Sequence, residues 1–177
     1  MVKSGTYFEK NIAVFLDPFL PLADREALIE KDQLKKVANL KTIFTTDLEI
    51  TASKHANNLT DYYFFDLASL LPVLALAVKG DEAILDMCAA PGGKSLLLFS
   101  QLMEHPFGEG QLIANEKSLE RFLRLRRTIL DFTTASPKIK LLNLDAKTFG
   151  INENYQKRFD KILVDAPCSS ERHVFTG

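Results

Sequence analysis

Two short stretches of the 177-residue chain concentrate residue types that do chemistry. The first runs Asp86-Met87-Cys88-Ala89-Ala90-Pro91-Gly92-Gly93-Lys94-Ser95: an acid, a thiol, a run of small residues and a lysine. Small residues let a ligand approach the backbone, and a helix starting there would aim free N–H groups at an anion. Gly93-Lys94-Ser95 imitates the end of a phosphate-binding loop, but that loop needs a glycine at position 88, where a cysteine stands. A dinucleotide GxGxxG is also absent, and a glycine turn with only a packing role remains the bland alternative. The second stretch, Asp165-Ala166-Pro167-Cys168, sets a carboxylate and a thiol three residues apart, just past an apolar run. An inert buried cysteine is the alternative there.

Single residues add weaker signals. Glu116 follows an apolar run, where an acid binds ribose hydroxyls in doubly wound sheets or simply favours a helix start. Asp145 either caps a turn or accepts a purine amino hydrogen. Lys117, Arg121, Arg124 and Arg127 recur at helical spacing, as a solvated face or as contacts to a phosphate backbone. The opposite stripe, Leu119, Phe122, Leu123, Ile129 and Leu130, is expected to pack on a sheet. His55, His105 and His173 have no partner in view and are read as structural or surface residues.

The elements that must position these residues follow from pattern. Residues 1–22, with Pro18 and Pro21, read as an arm or a short helix. A helix capped by Asp24 is predicted to run to about Leu40, with Ala27, Leu34, Val37 and Ala38 on one face, and the polar, irregular 41–60 read as a linker or a substrate-facing loop. A buried helix over Leu67 to Val78 is expected to stop at Gly80. Strands are predicted near 83–87, 111–114, 139–144 and 161–164, with helices near 95–103 and 118–132. Alternating strands and helices imply right-handed crossovers and a mostly parallel sheet, with ligands beyond the strands' carboxyl ends. All the singled-out acids fall there.

Composition sets the bounds. The chain is 46% hydrophobic with 22 Lys+Arg against 23 Asp+Glu, which excludes wholesale disorder and a generally basic nucleic-acid coat. Two cysteines, Cys88 and Cys168, make neither a disulfide framework nor a zinc spacing, and no metal is expected. The longest apolar stretch, broken by Pro72, is too short to span a bilayer, so no membrane is expected.

With Asp86-Met-Cys-Ala-Ala-Pro-Gly-Gly-Lys94, Asp165-Ala-Pro-Cys168, and Asp61-Tyr-Tyr-Phe-Phe-Asp-Leu-Ala-Ser-Leu-Leu-Pro-Val-Leu-Ala-Leu76 upstream, residues 61–177 resemble the NSUN/RsmB family of RNA 5-methylcytosine methyltransferases, most of all its mitochondrial rRNA branch. The resemblance implies a Rossmann-like α/β fold and S-adenosylmethionine as methyl donor. It divides the chain into an arm or helical extension over 1–60 and the N-terminal part of a methyltransferase domain over 61–177. Cys88, Ala89, Ala90, Pro91, Gly92, Gly93 and Lys94 would hold the methionyl end. Glu116 would bind the ribose hydroxyls, Arg121 would match a donor-site arginine, and Asp145 with Ala146 beside it would read the adenine. Asp165 would touch donor or target base, and Cys168 would match the cysteine that releases methylated RNA.

The family's attacking cysteine sits in a later motif, and no residue of this chain matches it. Four strands of the fold's seven are countable, so the chain is expected to be C-terminally truncated and marginally stable alone. The resemblance implies RNA, ribosomal RNA first, as substrate and an mTERF-type helical protein as partner. Its alternative is a non-catalytic isoform or fragment that binds donor or partner. A small-molecule or protein methyltransferase is disfavoured by Asp-Ala-Pro-Cys. The branch points to mitochondria, whereas Glu9, Asp17, Asp24 and Glu26 stand where a transit peptide avoids acids, leaving cytoplasm or nucleus as the alternative.

Overall fold

A computed structural model describes residues 12–16, 22–31, 35–36, 43–45, 62–105, 107–133 and 136–167. Two four-stranded sheets organise them. The N-terminal sheet comprises β1 (Ile12–Leu16), β2 (Lys35–Lys36), β3 (Ile43–Thr45) and β4 (Tyr62–Asp66), antiparallel in the order β2-β3-β1-β4, with helix α1 (Leu22–Lys31) between β1 and β2. Runs such as Ile-Ala-Val-Phe-Leu and Tyr-Tyr-Phe-Phe suit a pleated surface because branched and aromatic side chains fit it.

This sheet corrects the sequence reading of an arm, a long helix and a polar loop. The helix ends at Lys31 rather than Leu40, because Lys35 and Lys36 pair with Thr45 and Phe44 instead of continuing it. Asp24 is its third residue, not its cap. β4 pairs with β1 along its whole length, from Tyr62 opposite Leu16 to Asp66 opposite Ile12, so the sheet draws strands from both sides of residue 60.

A 3-10 turn over Leu67–Ser69 leads into α2 (Leu70–Leu76). The helix stops at Ala77, in left-handed conformation with φ 47°, not at the expected Gly80. Gly80 serves a close approach instead: its carbonyl accepts from Gly110 N at 2.9 Å, and a Cβ there would lie 2.1 Å from that of His105.

The second sheet is parallel, in the order β7-β6-β5-β8, from β5 (Ala83–Asp86), β6 (Gln111–Asn115), β7 (Ile139–Leu142) and β8 (Lys161–Leu163). Between them lie α3 (Gly93–Met103), α4 (Leu119–Phe132) and the short α5 (Lys147–Ile151), the last not anticipated. This is the four-strand, Rossmann-like α/β arrangement expected. Ile84, Leu112, Ala114 and Leu163 face one side, where they form one core with Leu96, Leu98, Phe99 and Leu102 of α3 and Leu125, Ile129 and Phe132 of α4. Leu85 and Met87, displaced by the two-residue period of a strand, meet Phe149, Tyr155 and Phe159 on the other side.

Of the apolar stripe predicted on α4, Ile129 is buried and Phe122 packs partly buried against the core, whereas Leu119, Leu123 and Leu130 are exposed; Leu125 and Phe132 take their places in the core. The helix is rotated so that Arg121 points toward the loop after β5, which turns Leu119 outward.

Candidate functional site

The loop after β5 begins at Asp86, only 1% exposed, whose Oδ2 accepts a 2.6 Å hydrogen bond from Ser95 Oγ. Burial pushes the Asp86 carboxyl up to about 6, against the opposing pull of Ser95 and the nearby Lys94 charge. Met87 N donates to Leu163 O at 2.9 Å and Ala89 N to Asn115 O at 2.7 Å, so both neighbouring strands hold the loop. Gly92 has φ 120°, open only to glycine, and a Cβ there would meet Thr128 Cγ2 at 3.0 Å. A Cβ on Gly93 would meet Tyr63 Cε1 at 2.7 Å. The glycine pair therefore lets α3 start against α4 and β4 at once.

Beyond the strands' carboxyl ends two hollows flank Cys88. One, of ≈ 220 Å³, is lined by Tyr63, Phe64, Ser69, Asp86, Cys88, Ala89, Ala90, Pro91, Gly93, Lys94 and Asp165. Lys94 Nζ lies 2.8 Å from Asp165 Oδ2 across its mouth, so the two chemistry-bearing stretches of the sequence meet there. The other, of ≈ 430 Å³, is lined by Met87, Cys88, Glu116, Lys117, Ser118, Arg121, Asp145, Ala146 and Pro167. Every expected donor-site residue except Gly92 lines one hollow or the other. Cys168, His55 and His173 lie outside the described residues.

Burial pushes the Cys88 thiol up, and the carboxylates of Glu116 and Asp86 add to it. A thiol so placed stays protonated and is a poor nucleophile. Glu116 is 4% exposed: Oε1 accepts from Ser118 N at 3.0 Å, but Oε2 is buried without a hydrogen-bond partner. Arg121 Nε stands 3.4 Å from that oxygen, close enough for an ion pair but outside hydrogen-bond geometry. The same guanidinium donates to Ala90 O at 2.9 Å, tying α4 to the loop. Arg121 thus leaves the basic row, while Arg124 pairs with Glu120 and Arg127 with Asp131, so those two belong to a solvated face.

Asp145 Oδ1 accepts from Lys147 N at 3.0 Å, and Oδ2 lies 2.7 Å from Lys117 Nζ. The pairing holds the Asp145 carboxyl below its usual range and the Lys117 ammonium above its own. Both sequence alternatives at Asp145 are therefore compatible with its position, because it caps a turn and lines the hollow.

Sequence reasoning missed Tyr63, Asn115 and Asn143. Tyr63 reaches the site from the N-terminal sheet, its hydroxyl bonded to the Gly93 backbone and its ring edge-on to Phe132 at 5.4 Å. Asn115 carried a usable signal, a polar residue closing an apolar strand. Among the described residues no cluster of three or more metal-ligating side chains occurs, and no helix is long and apolar enough to cross a membrane.

A buried carboxylate oxygen lacking a hydrogen-bond donor, a helix N-terminus with a lysine beside it, and two hollows that share Cys88 suit a ligand with hydroxyls and a carboxylate. Comparison with known proteins agrees. The chain is 41% identical over 130 residues to the mitochondrial tRNA (cytosine(34)-C(5))-methyltransferase of Mus musculus, a match that takes in 72% of this chain and 35% of the mouse protein. It is 38% identical to the 5-cytosine rRNA methyltransferase NSUN4 of Xenopus laevis, over 65% of this chain and 28% of that protein. The chain thus spans about a third of the length of these relatives. A methyltransferase homolog protein from Pyrococcus horikoshii shares the fold, with a TM-score of 0.66 and 24% identity over 90% of this chain and 51% of its own. NSun6 from the same organism, solved with SFG, gives a TM-score of 0.55 and 27% identity over 73% of this chain and 33% of that one. The model of the 16S rRNA methyltransferase RsmB/F family matches residues 73–174, from α2 past both hollows, and the chain belongs to that family.

Proposed function

We propose that this chain is the donor-binding part of an RNA cytosine-C5 methyltransferase, with S-adenosylmethionine as donor and ribosomal RNA as substrate. The observation that carries the reading is Glu116 Oε2, a buried carboxylate oxygen without a hydrogen-bond donor, in a hollow that also holds Asp145. A ribose hydroxyl supplies the missing donor. Lys94 and the N-terminus of α3 take the methionyl carboxylate. Asp145 exchanges Lys117 for the adenine amino group. Cys88 walls both hollows as a protonated spacer.

The bound donor supplies an electrophilic methyl group. Cytosine C5 is a poor nucleophile until a thiolate adds at C6, which divides one hard step into two easier ones. Asp165, at the mouth of the Lys94 hollow, contacts the base, and Cys168 acts in release of the methylated RNA. Neither cysteine is assigned the attacking role in this reading: Cys88 lies in the donor loop with its thiol held protonated, and Cys168 is given the release role that the resemblance implies. On this reading residues 1–177 taken by themselves are expected to bind donor without turnover. An mTERF-type helical partner and a mitochondrial location follow from the same branch of the family.

The test is retention of tritiated S-adenosylmethionine by the purified chain, followed by methyl transfer to a ribosomal RNA transcript. Saturable retention without transfer is expected. Transfer that survives Cys168→Ala, with no other protein added, contradicts the account of the nucleophile, and no retention contradicts the donor site.

A further inference from the structure

Neighbouring strands of a parallel sheet diverge beyond their last shared hydrogen bond, and something other than the ladder must then fix the spacing of the loops. Here that point is occupied by Asn115, the last residue of β6, fully buried and with its whole amide in use. Nδ2 donates to Met87 O at 3.0 Å and to Leu144 O at 3.1 Å, and Oδ1 accepts from Leu144 N at 3.0 Å. The backbone carbonyl of the same residue accepts from Ala89 N at 2.7 Å. One residue thus ties the loop after β5 to the segment after β7, beneath the hollow that contains Glu116 and Asp145. Asn143 closes the joint from outside, with Nδ2 donating to Glu116 O at 2.6 Å and Lys117 O at 2.9 Å.

We infer that Asn115 is a positioning residue for donor binding, setting the span between the loop over 87–94 and Asp145, with Asn143 as its second clasp. The inference rests on the donor-site reading above. The amide is required by chemistry: a group of this size must donate twice and accept once. Aspartate has the same shape, but its carboxylate would face two carbonyl oxygens. Leucine fills the space and leaves three part-buried backbone groups, Met87 O, Leu144 O and Leu144 N, without this partner. A residue that merely filled a hole in the sheet would affect stability and leave affinity alone.

The experiment is isothermal titration of S-adenosylmethionine into the full chain, well below its melting transition, with melting temperatures measured alongside. Asn115→Asp is expected to weaken binding by about ten-fold or more, by analogy with the loss of groups that orient the ligands of a metal. Leu112→Ala, buried in the same strand, is expected to lower the melting temperature comparably while affinity stays within about two-fold. Asn143→Ala, at an exposed position where folding is not at stake, is expected to weaken binding by about three- to five-fold. In the cycle with Asp145→Ala, the Asn115→Asp loss should shrink by at least about half in logarithmic terms, because both act on one contact. Wild-type affinity in both asparagine variants, or strict additivity with Asp145→Ala, overturns the positioning role alone. No binding by the wild-type chain overturns the donor-site reading and this inference with it.

Discussion

The loops that leave β6 and β7 each carry a carboxylate into the same hollow, yet the two are built differently. Glu116 is buried, one oxygen on a backbone N–H and the other without a donor. Asp145 is more open to solvent, and both its oxygens are satisfied, by Lys147 N and the Lys117 ammonium. A buried acceptor held by the Arg121 charge but by no hydrogen bond keeps a desolvation cost that an incoming donor relieves, whereas an exposed ion pair exchanges one partner for another at little net cost. The β6 end is therefore preorganised for a hydroxyl, and the β7 end is adaptable. Asn115 and Asn143 hold the two at a fixed separation.

The largest effect should come from beneath both ends. Leu98→Ala, in the middle of α3 and fully buried, is expected to cost about 3 kcal/mol in urea unfolding without discriminating between them. Loss of the carboxylate in Glu116→Ala should weaken S-adenosylmethionine binding by roughly 2–3 kcal/mol, about two orders of magnitude in a titration. An effect below five-fold would remove the distinction drawn between the two acids.

Asp86 tests whether burial or pairing dominates near the loop. Its carboxyl is raised from 3.8 to about 6, so the native state disfavours the ionised form. Relative to a group without a shift, stability from this residue is fully present below 3.8 and is lost as the pH rises through about 6. The difference amounts to about 3 kcal/mol at most. Asp86→Asn should flatten that part of the pH–stability curve, read from urea midpoints between pH 4 and pH 7. An unchanged slope would place the penalty elsewhere.

The smallest effects belong to the adaptable end. Asp145→Asn is expected to weaken the donor by only about five-fold, as befits an exposed pair. Lys117→Met should leave binding unchanged or slightly tighter, since the ammonium competes for Asp145. If Asp145→Asn exceeded Glu116→Ala in the same titration, the order of the two ends would be reversed.

The parallel sheet and its loops were legible in the sequence because each strand is a short apolar run followed within a few residues by an acid. Asp86, Glu116, Asp145 and Asp165 all follow that rule, and all line a hollow. The N-terminal sheet was not legible, because β1 pairs with residues far along the chain and no local period announces it. Tyr63 was hidden for the same reason: its place over Gly93 depends on that pairing. Arg121 was legible as a basic residue, but its separation from Arg124 and Arg127 required the rotation of α4 against the loop. Leu119, Leu123 and Leu130 show the same rotation from the other side, as apolar residues that periodicity assigns to the core and geometry leaves exposed.

The role given to Glu116 is most directly tested by comparing S-adenosylhomocysteine with its 2′,3′-dideoxy analogue, in the wild-type chain and in Glu116→Ala. If Glu116 Oε2 accepts a ribose hydroxyl, the wild-type chain prefers the hydroxylated ligand by about ten- to a hundred-fold and the variant loses most of that preference. An equal preference in both proteins, or none in the wild type, would contradict it.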